Sequence, residues 1–313
     1  MPGRTLATRA AVTTPASVAA APRAALDRVP PHVYFAGSAV FHYLGPAFAV
    51  LLFARVEALG VAWLRIASAA VVLAAWRRPW RTARRLDRPG RRLLVAWGAV
   101  LAAMNCCFYL AIDRLPLGTV GAIEFLPVVA LAAAGARTAR NGVAIALAVP
   151  GVYVLCDVRL AGAPLGVALA FANAVLFALY IVLAHRVARH GAVGGLDGLA
   201  TAMLVAAAAV TPLAGWAAVP ALGDPVALLA GAGVGICSSV IPYVLDQLAM
   251  RRLARATYAL MVALLPAAAT VTGVVVLAQV PSRTELVAVA LVIAGVAVHR
   301  EPPPAEACSG AAP

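Results

Sequence analysis

Ten stretches of this chain are too long and too apolar to be anything other than helices buried in lipid or protein. They run 33–53, 56–76, 93–112, 115–136, 139–156, 164–184, 198–219, 226–249, 256–278 and 285–298, the last being the shortest. Runs of about 18 or more apolar residues read as membrane spans, because a helix satisfies its backbone hydrogen bonds where hydrocarbon offers none. The chain is 64% hydrophobic and 12% charged, with a mean hydropathy of +0.94. Globular proteins carry roughly a quarter charged residues. Few residues remain for a soluble domain, so the expected class is an all-α polytopic membrane protein with ten transmembrane helices.

The net charge of +13 invites a nucleic-acid reading, but the placement of the charges excludes it. The chain has no lysine, and its 25 basic residues are all arginines. Twenty lie in the N-terminal tail, the loops after spans 2, 4, 6 and 8, and the C-terminal end; eight of those crowd the 2–3 loop between Arg77 and Arg92. Only Arg55, Arg114, Arg159 and Arg283 lie in the intervening loops, and Arg65 lies inside span 2. Basic loops stay cytoplasmic, so both termini are expected on the cytoplasmic side. A wrong helix count would scramble this alternation. Residues 1–32 lack the apolar core of a signal peptide and, with 300–313, read as disordered cytoplasmic tails. The basic 2–3 loop lies near anionic headgroups. The five cysteines show no metal-ligand spacing, and no metal or other cofactor is expected.

Ten spans divide into two sets of five. Leu110-Ala111-Ile112-Asp113-Arg114-Leu115 joins spans 3 and 4, and the similar Leu248-Ala249-Met250-Arg251-Arg252-Leu253 joins spans 8 and 9. Pro127 in span 4 then matches Pro266 in span 9 once one gap is allowed. Five spans is an odd number, so repeats over 33–156 and 164–299 would be inverted, an arrangement of secondary transporters.

Arg65 and Glu124 are the two charges nearest the middle of apolar runs. Each lies nine residues beyond the start of its span, roughly 14 Å below the outer boundary at 1.5 Å per residue. A charge at mid-depth costs a few kcal/mol or more, so it faces a partner or an aqueous cavity. Arg65 could hold a substrate carboxylate through its planar fork, and Glu124 a substrate amine or a proton. A static ion pair between them is the alternative. Near the same level lie His42, Tyr43, Asn105, Asn173, Ser238 and Ser239. His42 is a candidate proton carrier because imidazole titrates near neutrality. Successive residues point about 100° apart, so His42 and Tyr43 cannot both face one point. Asn105 and Asn173 could bind substrate or simply hydrogen-bond between helices. Asp246, with Arg252, could form a cytoplasmic gate or an interfacial pair.

Met104-Asn105, Phe108-Tyr109-Leu110, Pro116-Leu117-Gly118 and Ala122-Ile123-Glu124-Phe125 resemble a signature of the drug/metabolite transporter superfamily, EamA family, close to its threonine/homoserine exporters. Trp63-Leu64-Arg65, Arg78-Pro79-Trp80-Arg81 and Pro242-Tyr243-Val244-Leu245-Asp246 add to the likeness, which spans roughly residues 35–300. It implies two EamA repeats and export of small metabolites, most readily amino acids, by alternating access with proton antiport. The chain departs from that pattern at Leu265 before Pro266, where a Glu is usual, and at Leu277-Ala278-Gln279, where Leu-Gly-Glu is usual. Tyr43 and Val50 also replace a Gln and a Lys of span 1.

The expected protein is therefore an inner-membrane secondary transporter and not an enzyme. Its partners would be a small zwitterionic metabolite, protons as the coupling ion and membrane lipid; nucleic acid is not expected, and a homodimer stays open. Without a lysine the chain cannot complete a P-loop, which excludes ATP-driven pumping by this polypeptide alone. The rival readings are proton-coupled efflux of drugs or cations, and a structural or sensory membrane protein that uses Arg65 and Glu124 only for packing.

Overall fold

The computed structural model describes residues 30–127, 138–160, 162–189, 195–250 and 265–298. These form helices, with no strand among them: α1 (Pro31–Leu52), α2 (Ala58–Arg77), α3 (Pro79–Arg85), α4 (Arg88–Ile112), α5 (Leu117–Glu124), α6 (Ala139–Leu160) and α7 (Pro164–Arg189). The second part of the chain continues with α8 (Gly195–Ala214), α9 (Val219–Leu222), α10 (Pro225–Gly235), α11 (Ile241–Met250), α12 (Leu265–Leu277) and α13 (Arg283–Val298). Each of the ten apolar runs holds helix within the described residues. Six helical stretches are long and apolar enough to cross a membrane: α1, α2, α4, α7, α8 with α9, and α10 with α11. The apolar parts of α6 and α12 are shorter. The two terminal tails, the later part of span 4 and the first part of span 9 lie outside the described residues.

Local chemistry sets the helix ends. α2 stops where Arg78 takes a left-handed conformation (φ 52°) and Pro79 cannot continue the ladder. Asp87 caps α4 by accepting from the Gly90 N–H at 2.9 Å. Asp224 caps α10 through the N–H groups of Val226 and Ala227. It also takes Arg55 at 2.9 Å, and these contacts, the Ala227 N–H first, hold its carboxyl below the usual aspartate range. At the end of α12, Gln279 N–H reaches back to the Gly273 carbonyl at 3.0 Å while Ala278 sits at φ 53°. This wide helix-end closure puts alanine in a left-handed position where glycine is the cheap residue.

The two parts of the chain interlock. α1 packs on α10, α11 and α12; α2 on α8 and α10; α4 on α7 and α8; α5 on α12; and α6 on α13. Polar links cross the same seam: Ser38 Oγ to the Pro242 carbonyl, Trp63 Nε1 to Thr211 Oγ1, Arg77 to Asp197 and Arg140 Nε to the Val298 carbonyl. Glycines allow the closest approaches. A Cβ on Gly235 would lie 2.6 Å from the Arg65 carbonyl oxygen, and one on Gly231 2.6 Å from Leu64 Cδ1, whereas Gly233 has open space. Small residues at such seams let backbones meet where apolar burial does not discriminate protein from lipid. Outward-facing Val71, Leu213, Leu229 and Val275 leave an apolar exterior suited to lipid.

Two outcomes check this packing. Gly235→Ala should destabilise the fold by about 1–3 kcal/mol through overpacking, while Gly233→Ala should be neutral or stabilising by up to about 1 kcal/mol. Ala278→Gly should stabilise by about 1 kcal/mol by relieving the left-handed alanine. Apparent unfolding midpoints in detergent read both effects, and equal midpoints for the two glycine variants would refute the seam.

Candidate functional site

Glu124 is the last residue of α5, and helical hydrogen bonding breaks at Phe125. Pro127 supplies the reason, since it has no N–H to give the Ile123 carbonyl. The carboxylate therefore sits at a helix C-terminus, where the backbone dipole favours a cation rather than an anion. Glu124 is 6% exposed, and its Oε1 accepts from Asn173 Nδ2 of α7 at 3.2 Å. Among the described residues nothing donates to its other oxygen.

Arg65 projects from the middle of α2 toward a second irregularity. Between α10 and α11, residues Ile236–Val240 form a π-helical turn, which widens the helix just before Pro242. Such turns free carbonyls from the α-ladder and occur often at functional sites. Arg65 Nη2 donates to the Ser238 carbonyl and Nε to Ser239 Oγ, each at 3.2 Å. The guanidinium lies 5.5 Å over the centre of the Tyr109 ring.

Both charges line one cavity of about 30 Å³, together with His42, Asn105, Asn173, Pro46, Met104, Phe108, Phe177 and Tyr243. Its volume suits roughly a single water and falls far below that of a ligand pocket. Arg65 and Glu124 make no direct ion pair; the ion pairs among the described residues are Arg55–Asp224, Arg77–Asp197 and Arg114–Asp113. The static pair raised by the sequence is thus not formed, because Arg65 is drawn to the π-turn of α10–α11. Asn173 Oδ1 and Tyr43 Oη are buried without hydrogen-bond partners among the described residues. Natural proteins rarely leave buried polar atoms unpaired, and water or a ligand normally answers them.

Of the residues singled out from sequence, His42, Arg65, Asn105, Glu124 and Asn173 meet at this cavity. Asn105 is also tied to its own helix through the Leu101 carbonyl at 2.8 Å. Tyr43 is turned away as helix geometry requires, with its ring edge-on to His42 at 5.3 Å and its hydroxyl beside Gly121. Asp246 lies on α11. Its side chain and the whole of Arg252 fall outside the described residues, and with them the gate. Ser238, Ser239 and Tyr109 were not expected to anchor Arg65. The available signal was the Ser-Ser pair between Gly235 and Pro242, where a helix has little to keep it regular.

The comparisons agree with this architecture. The EamA-like transporter family matches residues 164–299. The threonine/homoserine exporter RhtA of Salmonella typhimurium strain LT2 is 32% identical over 270 residues, covering 82% of this chain and 88% of the relative. This chain belongs to the EamA-like transporter family. The corresponding RhtA of Escherichia coli strain K12 is 33% identical over 254 residues, covering 80% of this chain and 84% of that one. A solved crystal structure shares the fold with a TM-score of 0.56 at 22% identity, over 83% of this chain and 93% of its own. As a member of the EamA-like family the chain is a multi-pass transporter of the cell membrane and not an enzyme.

Replacing Arg65 by Lys keeps the charge but cannot reach both Ser239 Oγ and the Ser238 carbonyl with one planar group. Arg65→Lys should leave the folded yield intact and weaken binding of a carboxylate-bearing substrate by roughly tenfold or more. A collapse of folded yield with unaltered affinity in the surviving protein would make Arg65 a packing residue.

Proposed function

We propose that this EamA-like transporter exports small zwitterions, most readily amino acids of the threonine and homoserine type, in exchange for protons. The observation that carries the reading is the meeting of Arg65 and Glu124 at one cavity without an ion pair between them: a half-buried guanidinium held by neutral groups and a buried carboxylate with one free oxygen. A zwitterion answers both, its carboxylate to Arg65 and its ammonium to Glu124. The cationic preference of a helix C-terminus adds to the second contact. When the substrate leaves, a proton on Glu124 neutralises the charge that the ammonium had balanced, which is the elementary step of antiport. His42 at the same cavity could pass that proton. The names of the relatives favour threonine and homoserine as first substrates to try.

The reading includes a topology. Ten spans would form two inverted five-helix repeats over 33–156 and 164–299, with both termini cytoplasmic, as the arginine distribution favours. The helix ends sort accordingly: Arg55, Asp113, Asp224 and Gln279 would lie outside, and Arg77, Asp197, Arg140 and Val298 inside. Because the central cavity is smaller than an amino acid, transport requires alternating opening toward each face. The interlocked seam of α1 and α2 with α10–α12 is where the repeats must move. Efflux of a purely cationic drug is less favoured, since Arg65 shares the cavity with Glu124.

Flux of labelled threonine and homoserine into proteoliposomes under an imposed pH gradient tests the reading. The wild type should show gradient-driven flux, and Glu124→Gln should lose the response to the gradient and at least about 90% of the rate, a barrier rise of roughly 1.4 kcal/mol or more. Wild-type flux that ignores the gradient would remove proton coupling, and no flux of any amino acid would remove the substrate class.

A further inference from the structure

The eight arginines between Arg77 and Arg92 are not strung along an irregular loop. They occupy the end of α2, the short helix α3 and the first turns of α4. The single acid of that stretch is Asp87, which is committed to capping α4. Pro79 is buried, and α3 packs on α8. At 100° per residue, Trp80, Arg81 and Arg84 fall within an arc of about 100° directed away from Pro79, and all three are exposed. Arg88, Arg91 and Arg92 fall within a similar arc of α4 and are exposed as well.

Local contacts hold this surface in shape. Arg91 Nε donates to the Leu86 carbonyl at 3.0 Å, across the turn that joins α3 to α4. Arg77 Nε donates to Asp197 Oδ1 of α8 at 2.7 Å, and its guanidinium lies 5.6 Å from the centre of the Trp76 ring. Trp76 is 52% exposed and Trp80 47% exposed, one on each side of the left-handed turn at Arg78. Two accessible indoles thus stand beside a dense set of guanidinium groups, at the ends of two helices long and apolar enough to cross a membrane.

We propose that this surface docks the headgroups of anionic phospholipids. Indoles favour the headgroup level of a bilayer, and the planar fork of arginine matches a phosphate in a bidentate way. The stretch 77–92 carries a charge of +7, from eight arginines and one aspartate, so a lipid with a net negative headgroup is preferred to a zwitterionic one. A nucleic acid or an acidic peptide would answer the arginines but leave Trp76 and Trp80 without an apolar neighbour. Because α3 packs on α8 and Arg77 ties the end of α2 to Asp197, a docked lipid braces the contact of α2 with α8. The proposal is independent of which substrate the central cavity takes.

The test is native mass spectrometry of the full chain released from micelles, titrated separately with phosphatidylglycerol and phosphatidylcholine. The wild type should bind phosphatidylglycerol at least about tenfold more tightly. Arg81→Gln with Arg84→Gln and Arg92→Gln should erase that preference, at roughly fivefold per arginine, while the three lysine replacements should keep most of it. Trp76→Ala with Trp80→Ala should weaken both lipids alike. High salt, which screens exposed charges, should remove the preference in the unaltered protein, so the test does not depend on any variant folding. Equal binding of the two lipids by the wild type, or a preference that survives both high salt and the glutamine replacements, would overturn the proposal. Displacement of the lipid by inorganic phosphate at equal concentration would overturn the assignment to a lipid.

Discussion

The structure turns on where Arg65 spends its hydrogen bonds. A guanidinium half-buried between helices must be answered, and the obvious partner at its depth is Glu124. The π-turn at Ile236–Val240 offers a carbonyl and a hydroxyl instead, and the face of Tyr109 completes the cradle. An ion pair at mid-membrane would neutralise both charges and leave nothing to bind. Because neutral groups hold Arg65, its charge is not cancelled, and neither is that of Glu124 when ionised. Charges kept apart in a shared cavity are costly in the empty protein.

The same choice explains why the two parts of the chain interlock. Arg65 belongs to α2 and its anchors to the segment between α10 and α11, so the first part of the chain orients its charge by leaning on the second. One of the close approaches along this seam, at Gly235, is to the backbone of Arg65 itself. A shift of α10 relative to α2 by an ångström would pull the π-turn from the guanidinium. Glu124 is held differently, by Asn173 and by the end of its own helix, so the two charges need not move together.

Much of this was legible in the sequence. Hydropathy located the helices because the bilayer imposes one secondary structure on long apolar runs, and the resemblance around Glu124 identified the family. Five of the six candidate binding residues converge on the cavity, and Tyr43 fails for the reason helix geometry gives in advance. The partner of Arg65 was not legible. Matching depths made Glu124 the natural choice, but depth fixes only one coordinate, and the rotation of α2 and the widening of α10–α11 decide the others. A π-turn leaves little trace in sequence beyond a Gly-rich stretch, a Ser-Ser pair and a following proline. A cavity of about 240 Å³ between α5, α12 and α13 was also invisible, since Thr119, Gln279 and Glu285 lie far apart along the chain and only the packing of these helices brings them together.

The departures from the family pattern at the end of α12 take on a physical meaning in this light. Leu277-Ala278-Gln279 stands where Leu-Gly-Glu is usual, and Gln279 lines the cavity between α5, α12 and α13. Alanine adopts the left-handed turn that glycine would take more easily, so the chain tolerates strain to keep the turn. Glutamine accepts the Leu117 N–H as a glutamate would, but it replaces a negative charge with a neutral amide that can also donate. With Glu285 already on the wall, a glutamate here would add a second carboxylate. The amide supplies a donor in place of that second charge. The charge lining this cavity is then set by position 279 as much as by Glu285, and glutamate at 279 would change that charge with little change of shape.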